Sequence, residues 1–445
     1  MTWSRGLLAE PRRARTLLIL FVLLGVSLRL AWAIFRPDSG ASGEAAFVAE
    51  ALADGRGFAD AYARGQGPTA HLSPISPLIA GGVYALFGVR SALSESLLTL
   101  WSVGLVFGAF LLLYRAFGRI GLSTRARLIA ILFLCVAPTY IAQEAVDFRI
   151  WEGGLAIFLA ALFFDRAMKL ATGPVDRGQL IILGAVAALL FFVNPPLGLG
   201  AGLCGLVLAV RRFTLRDTLL VCVSGLVCLA ALVGPWAYRN YQVFGEFVPL
   251  RSNAGLELAL ANHQAAVDGA DQGQVFEQRL KDIHPTQTAA AFAKMKAAGG
   301  EVPYARKLGQ ETKAWMASNK AGVAKLALRH LRQIVIPDPW QFANRAKTLR
   351  AAVAGLAGVL GLIGLALGLL SDRRAWLYPV ALLVVPALAL SFFQPVSRYT
   401  YLFFPFFAFA GGYLIDRCWL AVMGRRSGRE SGNPMDAPLS PGSVA

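Results

Sequence analysis

The chain has 445 residues, of which 56% are hydrophobic and only 16% charged, and its mean hydropathy is +0.56. A soluble domain carries roughly 25% charged residues, so these proportions exclude an ordinary soluble protein and point to an integral membrane one. The net charge of +17 does not point to nucleic acid, because the basic residues gather in short loops between apolar runs and no basic module stands apart.

The first apolar run, 17–35, follows Arg5, Arg12, Arg13 and Arg15, which places the N-terminus in the cytoplasm. It is too long for a cleaved signal and lacks a small-residue cleavage site, so it reads as an uncleaved anchor. A first outer loop, 36–94, carries Asp38, Glu44, Glu50, Asp54, Asp60 and His71. Within it ISPLIAGGVYALFG, 75–88, is too short to span comfortably and fits an amphipathic helix in the outer interface. Crossings follow at 95–117, 126–141 and 151–168, with Arg115, Arg119, Arg125 and Arg127 inside.

The run 179–210 is interrupted by Asn194-Pro195-Pro196, and proline ends a helix. Two short spans meeting at the outer face keep Arg211, Arg212 and Arg216 inside, whereas a single kinked helix would invert everything downstream. A span at 217–236 leads to a polar stretch, 237–349, in which Leu308, Thr312, Trp315 and Met316 recur at helical spacing. Spans near 350–370, 375–393 and 400–421 bring the chain back inside, and the polar tail 422–445 reads as disordered.

The expected fold is therefore all-α, a polytopic membrane bundle of about ten spans with both ends cytoplasmic. An N-terminal transmembrane module (1–236), a mostly helical extracytoplasmic segment (237–349), C-terminal transmembrane helices (350–421) and the tail divide the chain. Cys135, Cys204, Cys222, Cys228 and Cys418 lie in or at the ends of apolar spans without disulfide or zinc spacing, and read as packing residues.

Charged and polar groups then collect at the outer face. They are the first-loop acids and His71; Glu144, Asp147, Arg149 and Glu152; Arg239 and Asn240; and Arg398 with Tyr399. Glu44 has two readings. With Ser42 as cap it complements the dipole of a helix whose face continues through Phe47, Val48, Ala51 and Leu52. Alternatively, a carboxylate withdrawn from water has the raised pKa of a general base. Glu50 and Asp54 fall on the solvated flank. His71 is either polar surface or a ligand to a divalent metal, and Arg398 and Tyr399 are either interfacial anchors or substrate contacts.

Four stretches carry a family resemblance. Glu44-Ala-Ala-Phe47 running to Phe58, with GPTAHLSPISPLIAGGVYALFG at 67–88, resembles the first outer loop of GT-C fold glycosyltransferases. The nearest group is the protein-mannosyltransferase-like and aminoarabinose-transferase-like enzymes, glycosyltransferase family 39. PWAYRNYQVFGEFVPLRSNAGLELALANH (235–263), the helical stretch 284–331 and SRYTYLFFPF (397–406) are similar to later family segments in the same order.

The resemblance implies a GT-C bundle that moves a sugar from a polyprenyl phosphate to an acceptor at the periplasmic or extracellular face of the plasma membrane. Acceptors of this class are glycans, lipids or proteins. It implies Glu44 as the base, Glu144 or Asp147 as the second acid, Arg398 and Arg239 on the donor phosphate, and Tyr399, Asn240 and His71 as substrate contacts. No cofactor is certain, and a divalent metal ion stays open. The chain departs from the family in having Glu rather than Asp at the first-loop position, flanked by Gly43 and Ala45 so that no acidic pair forms. Rival readings are a polymerase or ligase of lipid-linked oligosaccharides, and a flippase or transporter, which should carry ionisable residues within its spans.

Overall fold

The computed structural model describes residues 11–35, 43–342 and 346–430, the last seven of these as backbone only. Arg5, Asp38, Ser42 and the tail from 431 onward, which the sequence reading invoked, lie outside the described residues.

Among the described residues the chain is helical throughout, apart from a single antiparallel bridge between Ala59 and Pro68. Six helices are long and apolar enough to cross a membrane: α1 (Arg12–Phe35), α4 (Ala92–Arg119), α10 (Leu215–Phe244), α17 (Lys347–Ser371), α18 (Arg373–Leu390) and α20 (Phe404–Glu430). A seventh span is broken. α5 (Thr124–Val136) and the pair α6 (Ile141–Ala145) and 3-10 turn Asp147–Arg149 meet at 77°.

The count of about ten crossings rested on three further helices, α7 (Gly153–Thr172), α8 (Arg177–Val193) and α9 (Pro195–Arg212). All three form, but α8 has only 17 residues, and α7 carries Asp165, Arg166 and Lys169. Length and composition therefore mark six or seven spans rather than ten. The apolar helices make the chain a multi-pass membrane protein.

Local chemistry sets the helix ends. Ser91 and Ser123 accept from the backbone N–H groups of Ser94 and Ala126 at the starts of α4 and α5. At the Asn194-Pro195-Pro196 break, Asn194 Oδ1 accepts from Leu197 N–H at 3.2 Å, and Pro195 takes the first turn of α9, where no donor is needed. α10 opens on a Thr214–Asp217 capping box and runs through Pro235 to Phe244, eight residues beyond the expected end at 236, where Gly245 (φ +67°) caps it. α3 (Ile75–Phe87) buries Ser76, Ala80 and Tyr84, a stripe at four-residue spacing, and exposes Leu78, Leu86 and Phe87.

The bundle pairs α17 with α20, α8 with α10, α4 with α7, and α9 with α18. Gly361 and Gly364 of α17 admit the backbone of Phe407 and Ala410 of α20, and a Cβ at either glycine would collide with them. Small residues that let helix backbones approach are what membrane packing requires, since lipid offers no hydrophobic drive between helices. α10 leaves Leu219, Val223, Leu226 and Val227 exposed, a lipid-facing surface.

Buried ion pairs tie the bundle internally. Arg29, inside α1, donates to Glu144 at 2.6 Å and to the carbonyl of Leu134 at 2.8 Å; both charged side chains are about 1% exposed. Asp165 of α7 pairs with Arg119, and lies 3.5 Å from Arg115, both of α4.

Over one end of the bundle lie α2 (Glu44–Ala53), α3 and an outer segment of α11 (Ala254–Ala261), α12 (Gln264–Asp268), α13 (Gln272–Ile283), α14 (Ala289–Ala297), α15 (Glu301–Ser318) and α16 (Lys320–Val335). Leu256, Leu260, Ile283, Met295, Tyr304 and Leu308 form a separate apolar core beneath this segment.

Candidate functional site

Four parts of the chain meet in a cavity of about 320 Å³ at this end of the bundle. Its wall includes Glu44 from α2, Asp147 and Trp151 after the bent span, Glu257 from α11, His284 after α13, and Arg398 and Tyr399 from the short helix α19 (Ser397–Thr400).

Glu44 is delivered by a turn. Gly43 precedes α2 at φ +89°, a backbone conformation that side-chain-bearing residues resist, and it caps the helix without a side-chain hydrogen bond. The apolar face of α2 differs from the expected one. Ala45, Ala46, Val48, Ala49 and Ala51 are buried, while Phe47 is 37% exposed. Glu44 sits at the edge of that face with its side chain 13% exposed.

Oε1 of Glu44 lies 3.3 Å from Nε2 of His284. Nδ1 of His284 lies 2.7 Å from the Thr286 hydroxyl and accepts weakly from the Thr286 backbone N–H at 3.4 Å. That pattern assigns the ring proton to Nε2, the atom that faces Glu44. Burial raises the Glu44 carboxyl above its ordinary value, against the opposing attraction of Arg398. Burial also lowers His284 to about 4. Both groups therefore resist charging, and near neutrality Glu44 faces a neutral imidazole rather than an ion-pair partner.

His71 completes a cluster. It is buried, its Nδ1 lies 2.7 Å from the Tyr62 hydroxyl, and burial together with His284 holds it well below the usual histidine value. The ligand atoms of Glu44, His71 and His284 all lie within 4.8 Å of one another. One carboxylate and two neutral imidazoles form a donor set suited to a divalent transition metal. The residues fit such an ion.

Arg398 stacks over Trp151 at 4.5 Å and over Tyr399 at 5.2 Å. Among the described residues its guanidinium makes no hydrogen bond or ion pair, although Glu257, Glu44 and Glu152 are close enough to act on it electrostatically. A planar cation held flat on an aromatic face keeps its donors open to a planar or tetrahedral anion.

The remaining expected residues are placed elsewhere. Glu144 is not in the cavity; its carboxylate is consumed by Arg29. Arg239 is also elsewhere. Its guanidinium donates to the carbonyls of Thr69 at 2.7 Å and Phe58 at 2.6 Å, and to Asn240 Oδ1 at 2.9 Å. Asn240 is fully buried and donates to the Val248 carbonyl. These two residues fasten the loop that carries His71 and do not line the cavity. Glu50 pairs with Arg90, and Asp54 with Arg56, both at the surface.

Sequence reasoning passed over three groups. His284 and Glu257 sit in an outer segment whose sequence holds no motif. Glu301, buried at the start of α15, accepts from Thr69 Oγ1 and Ala70 N–H, both at 2.6 Å, and from Ser252 Oγ at 2.9 Å. Together with Arg239 it clamps the loop that carries His71. In hindsight Pro285 after His284 marked a helix end, but nothing local linked that end to Glu44.

No protein-family model and no curated protein sequence matches the chain. Solved structures do. The chain is similar to the archaeal oligosaccharyltransferase AglB of Archaeoglobus fulgidus in complex with an inhibitory peptide and a dolichol-phosphate. The TM-score is 0.53 at 14% identity over 96% of this chain and 53% of the other. The same enzyme in complex with zinc and sulfate aligns with a TM-score of 0.53 at 15% identity, over 92% of this chain and 50% of the other. ArnT of Cupriavidus metallidurans bound to undecaprenyl phosphate aligns at 17% identity over 90% and 77% of the two chains, with a TM-score of 0.38, too low to weigh. The chain thus spans about half the length of the oligosaccharyltransferase, and identity at this level speaks of fold alone. What is shared is the fold, an all-helical bundle of apolar spans with its outer helices over one end.

Proposed function

We propose that the chain is a membrane glycosyltransferase that transfers a sugar from a polyprenyl-phosphate donor to an acceptor hydroxyl or phosphate at the periplasmic or extracellular face. The observation that carries this reading is the convergence of Glu44, Asp147 and an unpaired Arg398 on one cavity. Its orientation follows from the basic residues Arg119, Arg125, Arg127, Arg211, Arg212, Arg216, Arg373 and Arg374, which lie toward the opposite ends of the helices.

In this reading Glu44 accepts the acceptor's proton as its oxygen attacks the anomeric carbon. The bond from that carbon to the donor phosphate oxygen breaks, and the leaving lipid phosphate carries the departing electron pair. Arg398 binds that phosphate through donors that nothing else occupies. Tyr399 and Trp151 hold the guanidinium in place, and Asp147 orients the acceptor. Arg239 and Asn240 act at a distance, by fixing the loop that bears His71.

Charge balance favours a variant of this reading. Glu44, Asp147 and Glu257 line the cavity beside one lining guanidinium, Arg398, while Arg350 and Arg149 act on Asp147 from outside it. A divalent cation at Glu44, His71 and His284 would add positive charge near the phosphate. Glu44 would then be a ligand, and Asp147 the carboxylate left to take the proton.

The test is incubation of the purified chain with a polyprenyl-phosphate sugar and candidate acceptors, read by mass spectrometry. A new glycosidic bond with release of the polyprenyl phosphate supports the reading. Transfer of a whole oligosaccharide would favour the polymerase or ligase, and movement across vesicles without any new bond would favour the flippase.

A further inference from the structure

At the end of the bundle opposite Glu44 lies a second, larger cavity of about 680 Å³. Four helices deliver its wall. α4 ends at Arg119, α7 at Thr172, α9 at Arg211 and Arg212, and α18 begins at Arg373. Four arginines therefore line one space: Arg119, Arg211, Arg212 and Arg374.

Their hydrogen bonds leave most of that charge uncompensated. Arg119 is satisfied by Asp165. Arg211 donates to the backbone carbonyl of Arg374 at 2.7 Å and lies 5.7 Å from the Tyr378 ring, and Arg212 donates to the carbonyl of Gly173 at 2.9 Å. Among the described residues no carboxylate pairs with Arg211, Arg212 or Arg374. The wall's one acid, Asp372, is occupied in capping α18, accepting from the N–H groups of Arg374 and Ala375. Helix C-termini attract cations, which explains single arginines at the ends of α4 and α9. It does not explain three guanidiniums gathered round one open space beside a single carboxylate.

The inner wall is of another kind: Ile120, Met168, Ala171 and Ala375 are apolar. A basic rim over an apolar wall, between helices at the level where they leave the bilayer, has the chemistry of a phospholipid headgroup site. The rim offers guanidinium forks to phosphate oxygens, and the wall takes the glycerol and the first methylenes.

We propose that this cavity binds the phosphate of an anionic phospholipid from the leaflet opposite the Glu44 site, with Arg211, Arg212 and Arg374 as its ligands. The lipid phosphate offsets part of this like charge and joins the end of α9 to the start of α18. The proposal is independent of the chemistry at Glu44.

The experiment places the full chain in nanodiscs of phosphatidylcholine alone or with phosphatidylglycerol, and measures retained lipid by native mass spectrometry and thermal stability by light scattering. Wild type should retain phosphatidylglycerol and melt higher in its presence. The Arg211→Gln/Arg212→Gln/Arg374→Gln variant should retain it about tenfold less well while still eluting as a folded monodisperse peak. Arg216→Gln, at the same end but outside the cavity, controls for general surface charge and should behave as wild type. Equal losses in Arg216→Gln and the triple variant would overturn the proposal. So would equal stabilisation of the detergent-solubilised chain by inorganic phosphate, which would give the site to a soluble anion. If the triple variant does not fold, Arg374→Gln alone decides, with a smaller loss of phosphatidylglycerol expected and none overturning the assignment.

Discussion

His284 and Glu44 meet at 3.3 Å, joining the first outer loop to the helical segment that follows α10. The imidazole is fixed from behind by Thr286, and the carboxylate is fixed by the turn at Gly43. A group that accepts a proton needs a defined position before the acceptor arrives, and this contact provides one.

The contact has a consequence for pH dependence. Glu44 holds its proton above the ordinary 4.5 because it is buried. Protonated, it cannot accept another proton, so activity is lost as pH falls through its raised pKa and is present above it. His284 does not charge until about pH 4. The acid limb of kcat/KM should therefore lie above 4.5 and persist in His284→Gln at a shifted position. A limb at the ordinary carboxylate value would contradict the buried base.

Two arginines that look alike in sequence should separate by experiment. Arg398→Gln should raise the donor KM about tenfold or more, the worth of a charge-assisted hydrogen bond of ~1.5–3 kcal/mol, without lowering thermal stability. Arg239→Gln strips bonds from two loop carbonyls and should lower the melting temperature instead, with kcat falling only as the loop loosens. Donor titrations beside melting curves of both variants check the split.

Glu144→Gln should act on folding rather than chemistry. It leaves Arg29 charged and buried inside α1, and breaking one partner of a buried pair costs about 3–5 kcal/mol. Expression and melting temperature should drop sharply, and the protein that does fold should keep its donor KM.

Metal content separates the two versions of the site chemistry. If a cation sits at Glu44, His71 and His284, the purified chain should retain zinc or manganese after dialysis, and His71→Ala/His284→Ala should lose it. Both imidazoles are neutral at pH 7, so binding there releases no proton from them. Absence of a retained ion would leave Glu44 as an unassisted base.

The spans were legible because an apolar run long enough to cross hydrocarbon leaves an unmistakable pattern, and the Asn194-Pro195-Pro196 break was legible because proline cannot continue a helix. The choice between Glu144 and Asp147 was not. Three residues apart, they would share one face of a continuous helix. The break at Val146, where α6 gives way to the 3-10 turn at Asp147, separates them, sending one to Arg29 and the other to the cavity. The two arginines were indistinguishable for a similar reason. Both precede an aromatic or polar partner at an outer helix end, and tertiary packing alone decides that Arg239 meets carbonyls while Arg398 meets rings. His284 opens a stretch that carries the resemblance and precedes a helix-ending proline, but nothing local linked it to Glu44 on a distant segment.

The central claim is tested most directly by Glu44→Gln in the purified enzyme with a labelled polyprenyl-phosphate sugar. The amide keeps the size and the place beside His284 but cannot take a proton. A fall in kcat of about 10²–10⁴-fold with donor KM nearly unchanged is the result expected for a lost general base. Transfer at the wild-type rate would contradict it and remove Glu44 from the chemistry.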